Sequence, residues 1–173
     1  MVRDLALKTK VGMLILFSAL LLVVLIAPFT LPHGSVTDLS GVVGKEDNGD
    51  QIANMNPLAA GVYLFGDLNC HQIAERSFFL NGNEMPFCAR DIGLFIGLAA
   101  GMALIIALRP RFSWLALILL AAPILLDGGV QLVTDYESSN IVRLLTGMLG
   151  GGAASYFLAH VADAFLSVET DGQ

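Results

Sequence analysis

The sequence predicts an all-α integral membrane protein with four transmembrane helices, and three observations predict it. Apolar runs of bilayer length recur along the chain. Hydrophobic residues make up 55% of it and charged residues 14%, where soluble domains carry about 25% charged residues. Basic and acidic side chains also lie in different segments, so the net charge of −6 describes no single surface.

The first run, residues 11–29 (VGMLILFSALLLVVLIAPF), carries no charge and is about as long as a bilayer core requires. Read as a signal peptide, it would have an unusually long apolar core, and Thr30-Leu31-Pro32-His33 after it lacks the small residues of a cleavage site. It is therefore expected to stay as helix one. The second run, 92–108, stops at Arg109-Pro110-Arg111. The third is apolar from 112 to 126, meets Asp127 and continues to 133. The fourth, 141–166, is interrupted by Arg143, His160 and Asp163.

Orientation follows from Lys and Arg. Arg3, Lys8 and Lys10 precede helix one, and Arg109 and Arg111 link helices two and three. Four spans put both segments and the C-terminus on one side, which positive-inside makes cytoplasmic: N-in, C-in. The opposite, extracytoplasmic side receives an extended segment between helices one and two and a short loop at 134–140, both acidic. Residues 34–56 read as loop. Residues 57–65 (PLAAGVYLF) are apolar but too short to span, so they read as an interfacial or re-entrant piece. The expected organisation is an N-terminal transmembrane helix (1–30), an extracytoplasmic loop (31–56), a core membrane domain (57–166) and a cytoplasmic tail (167–173).

Gly93, Gly97 and Gly101 share one face of helix two, and Gly147 and Gly151, with Gly150 and Ala154 beside them, lie on helix four. Small residues at this spacing let backbones approach closely in lipid, so these two helices are expected to cross there.

Polar groups gather at the extracytoplasmic ends: Cys70-His71-Gln72 and Glu75-Arg76-Ser77; Cys88-Ala89-Arg90-Asp91; Asp127-Gly128-Gly129-Val130-Gln131; and Ser139-Asn140, Arg143 and Thr146-Gly147. Asp127 and Gln131 share a helical face, as do Asn140, Arg143 and Thr146, and Ser139 or Asn140 can cap helix four. An ionisable group within a span is costly and marks a functional candidate. Asp127 and Arg143 are the natural ion pair, with Arg90 and Gln131 nearby. The candidate ligand-binding set is Arg90, Asp127, Gln131, Asn140, Arg143 and Thr146, and Asp127 is the best candidate for any acid/base role. A structural salt bridge between helices three and four is the competing reading. His160 and Asp163, near the cytoplasmic end, read as helix–helix hydrogen bonding, and Trp114 as part of the aromatic belt.

Cys70 and Cys88 flank a hydrophilic excursion whose Asn81-Gly82 is a strong turn signal, so the two cysteines are expected to be close. They can form a disulfide, share a zinc site with His71 and Asp91 as further ligands, or remain free thiols. Cys70 and His71 are adjacent, which makes joint ligation of one metal awkward.

The series CHQ, ERSFFLNG, PFCAR, DGxxQ and SNxxRxxTG, spread over 63–151, resembles a family of small prokaryotic membrane proteins, domain of unknown function 2085. The resemblance implies a multi-pass fold and no particular activity. Relatives commonly read CARC where this chain has Cys88-Ala89-Arg90-Asp91, so a thiol-rich site in relatives would be altered here.

No GxSxG, HExxH, P-loop or Rossmann glycine pattern is present, and whether the chain is an enzyme is left open. Nine Lys and Arg spread over the chain form no basic stripe, which argues against nucleic acid. Two functions fit: a site at the outer face of the cell membrane for a small anion or a lipid head group, held by Arg90 and Arg143, or a non-enzymatic subunit or assembly factor with a membrane-protein partner and a structural polar cluster.

Overall fold

The computed structural model describes the backbone of residues 2–171 and the side chains of residues 4–166. The side chains of Arg3 and of the expected tail from residue 167 lie outside the described residues. The elements run α1 (Val2–Ile26), a 3₁₀ turn (Ala27–Thr30), α2 (Gly49–Ile52), α3 (Pro57–Asn69), a second 3₁₀ turn (Ala74–Arg76), β1 (Ser77–Leu80), β2 (Asn83–Cys88), α4 (Ala89–Leu108), α5 (Trp114–Val133) and α6 (Asn140–Asp171).

Four helical stretches are long and apolar enough to cross a membrane: Asp4–Thr30, Ala89–Leu108, Trp114–Val133 and Asn140–Leu166. Their outward faces suit lipid rather than water. On α5, Leu125 is 70% exposed and Leu132 86%, and a soluble chain would not leave such a patch bare.

Element ends follow local chemistry. Arg109 takes a left-handed conformation (φ 49°) that closes α4, its N–H bonding to the Ile105 carbonyl, and Pro110 prevents continuation. Ser113 then caps α5, its side chain accepting from the Ala116 amide. At α6 the cap is Ser139, whose Oγ accepts from Val142 N at 3.4 Å.

The glycine stripe packs as expected. A Cβ on Gly93 or Gly97 would fall on the Leu144 or Met148 carbonyl, and one on Gly147 or Gly151 on the Arg90 or Leu94 carbonyl. Backbone thus touches backbone from both sides, and α4–α6 is the most extensive helix pair. At the bundle end where α4 terminates, Lys10 Nζ meets Asp163 Oδ2 at 2.7 Å. There His160 lies against the Tyr156 and Pro110 carbonyls at 2.7 and 3.0 Å, tying α6 to the α4–α5 link.

At the other end, residues 31–88 form a folded cap. The expected interfacial piece is α3, thirteen residues long and opened by Asn56, whose side chain accepts from the Leu58 and Ala59 amides. An antiparallel hairpin, β1–β2, interrupts the otherwise helical chain. It turns at Asn81-Gly82, both at positive φ, as a tight hairpin turn requires. The stretch read as loop is irregular in shape but pinned in place. Asn83 Oδ1 accepts from Val36 N (3.0 Å) and its Nδ2 donates to the Pro28 carbonyl (2.9 Å). Buried Asp67 accepts from the amides of Asp47 (2.9 Å) and Asn48 (3.2 Å) and from Asn48 Nδ2 (2.6 Å). Asn48 Nδ2 also reaches Gln72 Oε1 at 2.9 Å, and Gln72 donates to the Pro86 carbonyl at 3.0 Å. Tyr63, Met85 and Phe87 fill the space beneath with Val24 and Ala27 from the first span. The cap thereby fixes where β2 delivers Cys88 and the start of α4.

Candidate functional site

Three helix ends and the cap converge on one polar cluster. Arg90, in the first turn of α4, points at α5: its Nη2 lies 2.5 Å from Asp127 Oδ2 and 2.8 Å from Gln131 Oε1. Asp127 and Gln131, one turn apart, present one face as their spacing implies. Gln131 Nε2 donates to Ser138 Oγ at 2.7 Å, and Ser138 Oγ returns to Asp127 Oδ2 at 3.3 Å. Thr146 on α6 reaches the same carboxylate oxygen at 3.5 Å. Asn140 turns to the cap and donates to the Ser77 carbonyl at 3.2 Å, leaving its Oδ1 buried without a partner.

The expected Asp127–Arg143 pair does not form: Arg90 takes Asp127 instead. Arg143, one turn into α6, faces the cap. It is 3% exposed, it has no ion pair among the described residues, and its buried Nη2 has no hydrogen-bond partner. A third guanidinium, Arg76, pairs with Glu137 on the α5–α6 loop, and that contact holds the Glu137 carboxyl below its ordinary range. Arg76 and Arg90 each retain a buried Nε without an acceptor.

All three arginines line one cavity of about 100 Å³, together with Cys70, Gln72, Cys88 and Gln131. Two of the guanidiniums have carboxylate partners within ion-pair distance, and Arg143 has none among the described residues. A larger cavity of about 540 Å³ at the opposite end of the bundle is bordered by Lys10, His160 and Asp163, which bond to one another or to backbone carbonyls.

The hairpin brings Cys70 and Cys88 together, as the turn signal implies, but both are free thiols and no bridge joins them. The Cys88 amide donates to Cys70 Sγ at 3.4 Å, and the Cys88 thiol to Asp91 Oδ2 at 3.1 Å. The thiol–thiol contact with Cys88 holds the Cys70 thiol below its ordinary range, and the same contact, with burial and the Asp91 carboxylate, pushes Cys88 up. One ligand atom each from Cys70, Cys88 and Asp91 lie within 4.8 Å of one another. His71 does not join them: it is exposed, with Nδ1 3.3 Å from the Gly41 carbonyl.

Sequence reasoning missed Ser138, which closes the ring around Asp127, and the buried carboxylates Glu84 and Asp67 that organise the cap. Glu84 accepts from Leu39 N at 3.1 Å and its other oxygen is buried without a partner. Burial pushes its carboxyl above the usual range. An acid inside a hairpin whose neighbours are Met85, Pro86 and Phe87 was the available signal.

Residues 70–157, just over half the chain, match the model of a family described as predicted membrane protein (DUF2085). The chain belongs to the DUF2085 family. The match opens at Cys70 and takes in the hairpin, α4, α5 and the polar start of α6, so the family region is the cluster and its supports. An uncharacterised protein of Methanocaldococcus jannaschii is 31% identical over 102 residues, covering 56% of this chain and 65% of that protein. One from Methanothermobacter thermautotrophicus is 31% identical over 85 residues, covering 47% of this chain and 77% of that protein. The chain thus spans just under two thirds of the first relative's length. No solved structure matches it.

Proposed function

We propose that this DUF2085 protein binds a small anionic group, a free oxyanion or the head group of a membrane lipid, in the cavity between its cap and the ends of α4, α5 and α6. Arg143 carries the reading: a buried guanidinium without a partner. Leaving a charge buried and uncompensated is strongly unfavourable, and guanidinium forks suit phosphate and carboxylate. Arg76 and Arg90 line the same volume and each keeps a buried Nε without an acceptor, and the volume has room for a compact oxyanion. Asp127, held by Arg90, Ser138 and Thr146, serves as the counter-ion that fixes Arg90 in place. With Lys8, Lys10, Arg109 and Arg111 inside, the cavity opens at the extracytoplasmic face of the cell membrane.

The full chain in nanodiscs of zwitterionic lipid is titrated with inorganic phosphate while thermal unfolding is followed, and the measurement is repeated without phosphate in nanodiscs containing phosphatidylglycerol. Stabilisation in the first arm identifies a free oxyanion and in the second a lipid head group, and Arg143→Gln abolishes either. If neither arm stabilises the protein, or Arg143→Gln responds as wild type does, the site is structural and the chain is better read as a subunit or assembly factor.

A further inference from the structure

We propose that Cys70, Cys88 and Asp91 form a binding site for a thiophilic divalent cation of the zinc class, with one coordination position open to the cavity. The three residues arrive from separate elements. Cys70 closes α3, Cys88 ends β2, and Asp91 lies in the first turn of α4. The tight Asn81-Gly82 turn and the Gln72–Pro86 hydrogen bond hold the first two side by side, while helix geometry places Asp91 one turn beyond Cys88.

The spacing suits a metal. Around a tetrahedral zinc, neighbouring sulfur and oxygen ligands stand roughly 3.6–3.8 Å apart, as the usual zinc–ligand bond lengths require. The Cys88–Asp91 contact is 3.1 Å and all three ligand atoms fall within 4.8 Å, so small side-chain rotations bring them onto a common ion. Two thiolates and a carboxylate mix soft and hard donors, a set suited to zinc rather than to magnesium or calcium. Cys70 and Cys88 both border the cavity, so three protein ligands leave a fourth position facing it, the arrangement of zinc sites that bind a water or a ligand.

The metal site does not depend on the anion reading, because its ligands stand whether or not phosphate binds.

The full chain, purified under reducing conditions without added phosphate, is assayed for metal by elemental analysis and titrated with cobalt(II). The expected result is one zinc per chain and, on cobalt substitution, thiolate-to-cobalt charge-transfer absorption. Both vanish in Cys88→Ser. The wild-type spectrum alone decides the matter if Cys88→Ser fails to fold. A reduced, folded wild type that takes up neither metal overturns the proposal. So does metal retained by folded Cys88→Ser, or native protein lighter by two hydrogens because the thiols are bridged.

Discussion

Arg90 and Asp127 stand 37 positions apart in the chain, yet Arg90 Nη2 and Asp127 Oδ2 meet at 2.5 Å across the α4–α5 interface. The Asp127 side chain is 6% exposed and that of Arg90 24%, so the pair is largely desolvated, and either charge left alone would be unfavourable inside the bundle.

Asp127→Ala is therefore expected to destabilise the protein by about 3 kcal/mol, the low end for breaking a buried pair. Asp127→Asn, which keeps the shape and the hydrogen-bond acceptor, should cost less. Arg90→Ala combined with Asp127→Ala should cost less than the sum of the two single changes. Reversible unfolding in mixed micelles measures all of these. Strict additivity would show that the two residues do not act on each other.

Gly97→Leu should separate α4 from α6, because its side chain would begin on the Met148 carbonyl. A marked fall in melting temperature is expected, beyond the 1–3 kcal/mol typical of overpacking, since backbone rather than a flexible side chain stands in the way. Gly129→Ala is the control. Nothing lies within 4 Å of its Cβ position, and replacing a mid-helix glycine gains about 0.5–1 kcal/mol.

Glu84 predicts a pH dependence. Burial raises its folded pKa above the unfolded value, so its contribution to stability is fully present below the unfolded pKa and is lost as pH rises through the folded one. Stability measured from mildly acidic to neutral pH should fall across that window. Glu84→Gln should flatten the slope and be the more stable form at neutral pH. An unchanged slope in Glu84→Gln would assign the effect to another group.

Asn48→Ala should loosen the cap. Asn48 bridges Asp67 and Gln72, and losing hydrogen bonds to a charged partner costs about 1.5–3 kcal/mol. Limited proteolysis should cut residues 31–56 faster in Asn48→Ala, while the four helical spans stay protected.

Periodicity made the spans and the glycine stripe legible, because 3.6-residue spacing fixes which residues share a helix face. Asn81-Gly82 revealed the turn that joins Cys70 to Cys88. The partner of Asp127 was not legible. Helical phase places Arg90 and Arg143 at the mouth of the bundle but does not say which faces α5, and that is settled by the close α4–α6 contact, which turns Arg143 toward the cap. The carboxylates of the cap were hidden for a related reason. Asp67 and Glu84 find their partners, Asn48 and Leu39, in a stretch without periodicity, where composition reports loop and nothing reports what the loop touches. His71 is a possible ligand by residue type, but its adjacency to Cys70 makes joint ligation awkward, and the imidazole lies against the Gly41 carbonyl instead.

The pairing of Arg90 with Asp127 also bears on how the chain is made. A nascent chain leaves the ribosome N-terminus first, and α4 and α5 are consecutive spans joined by the short link at 109–113. Arg90 and Asp127 therefore belong to one helical hairpin, each neutralising the other without a charge from α6. The glycine seam with α6 closes afterwards on a two-helix unit whose ionic cost is already met. Arg143 arrives last, when Asp127 is already taken by Arg90.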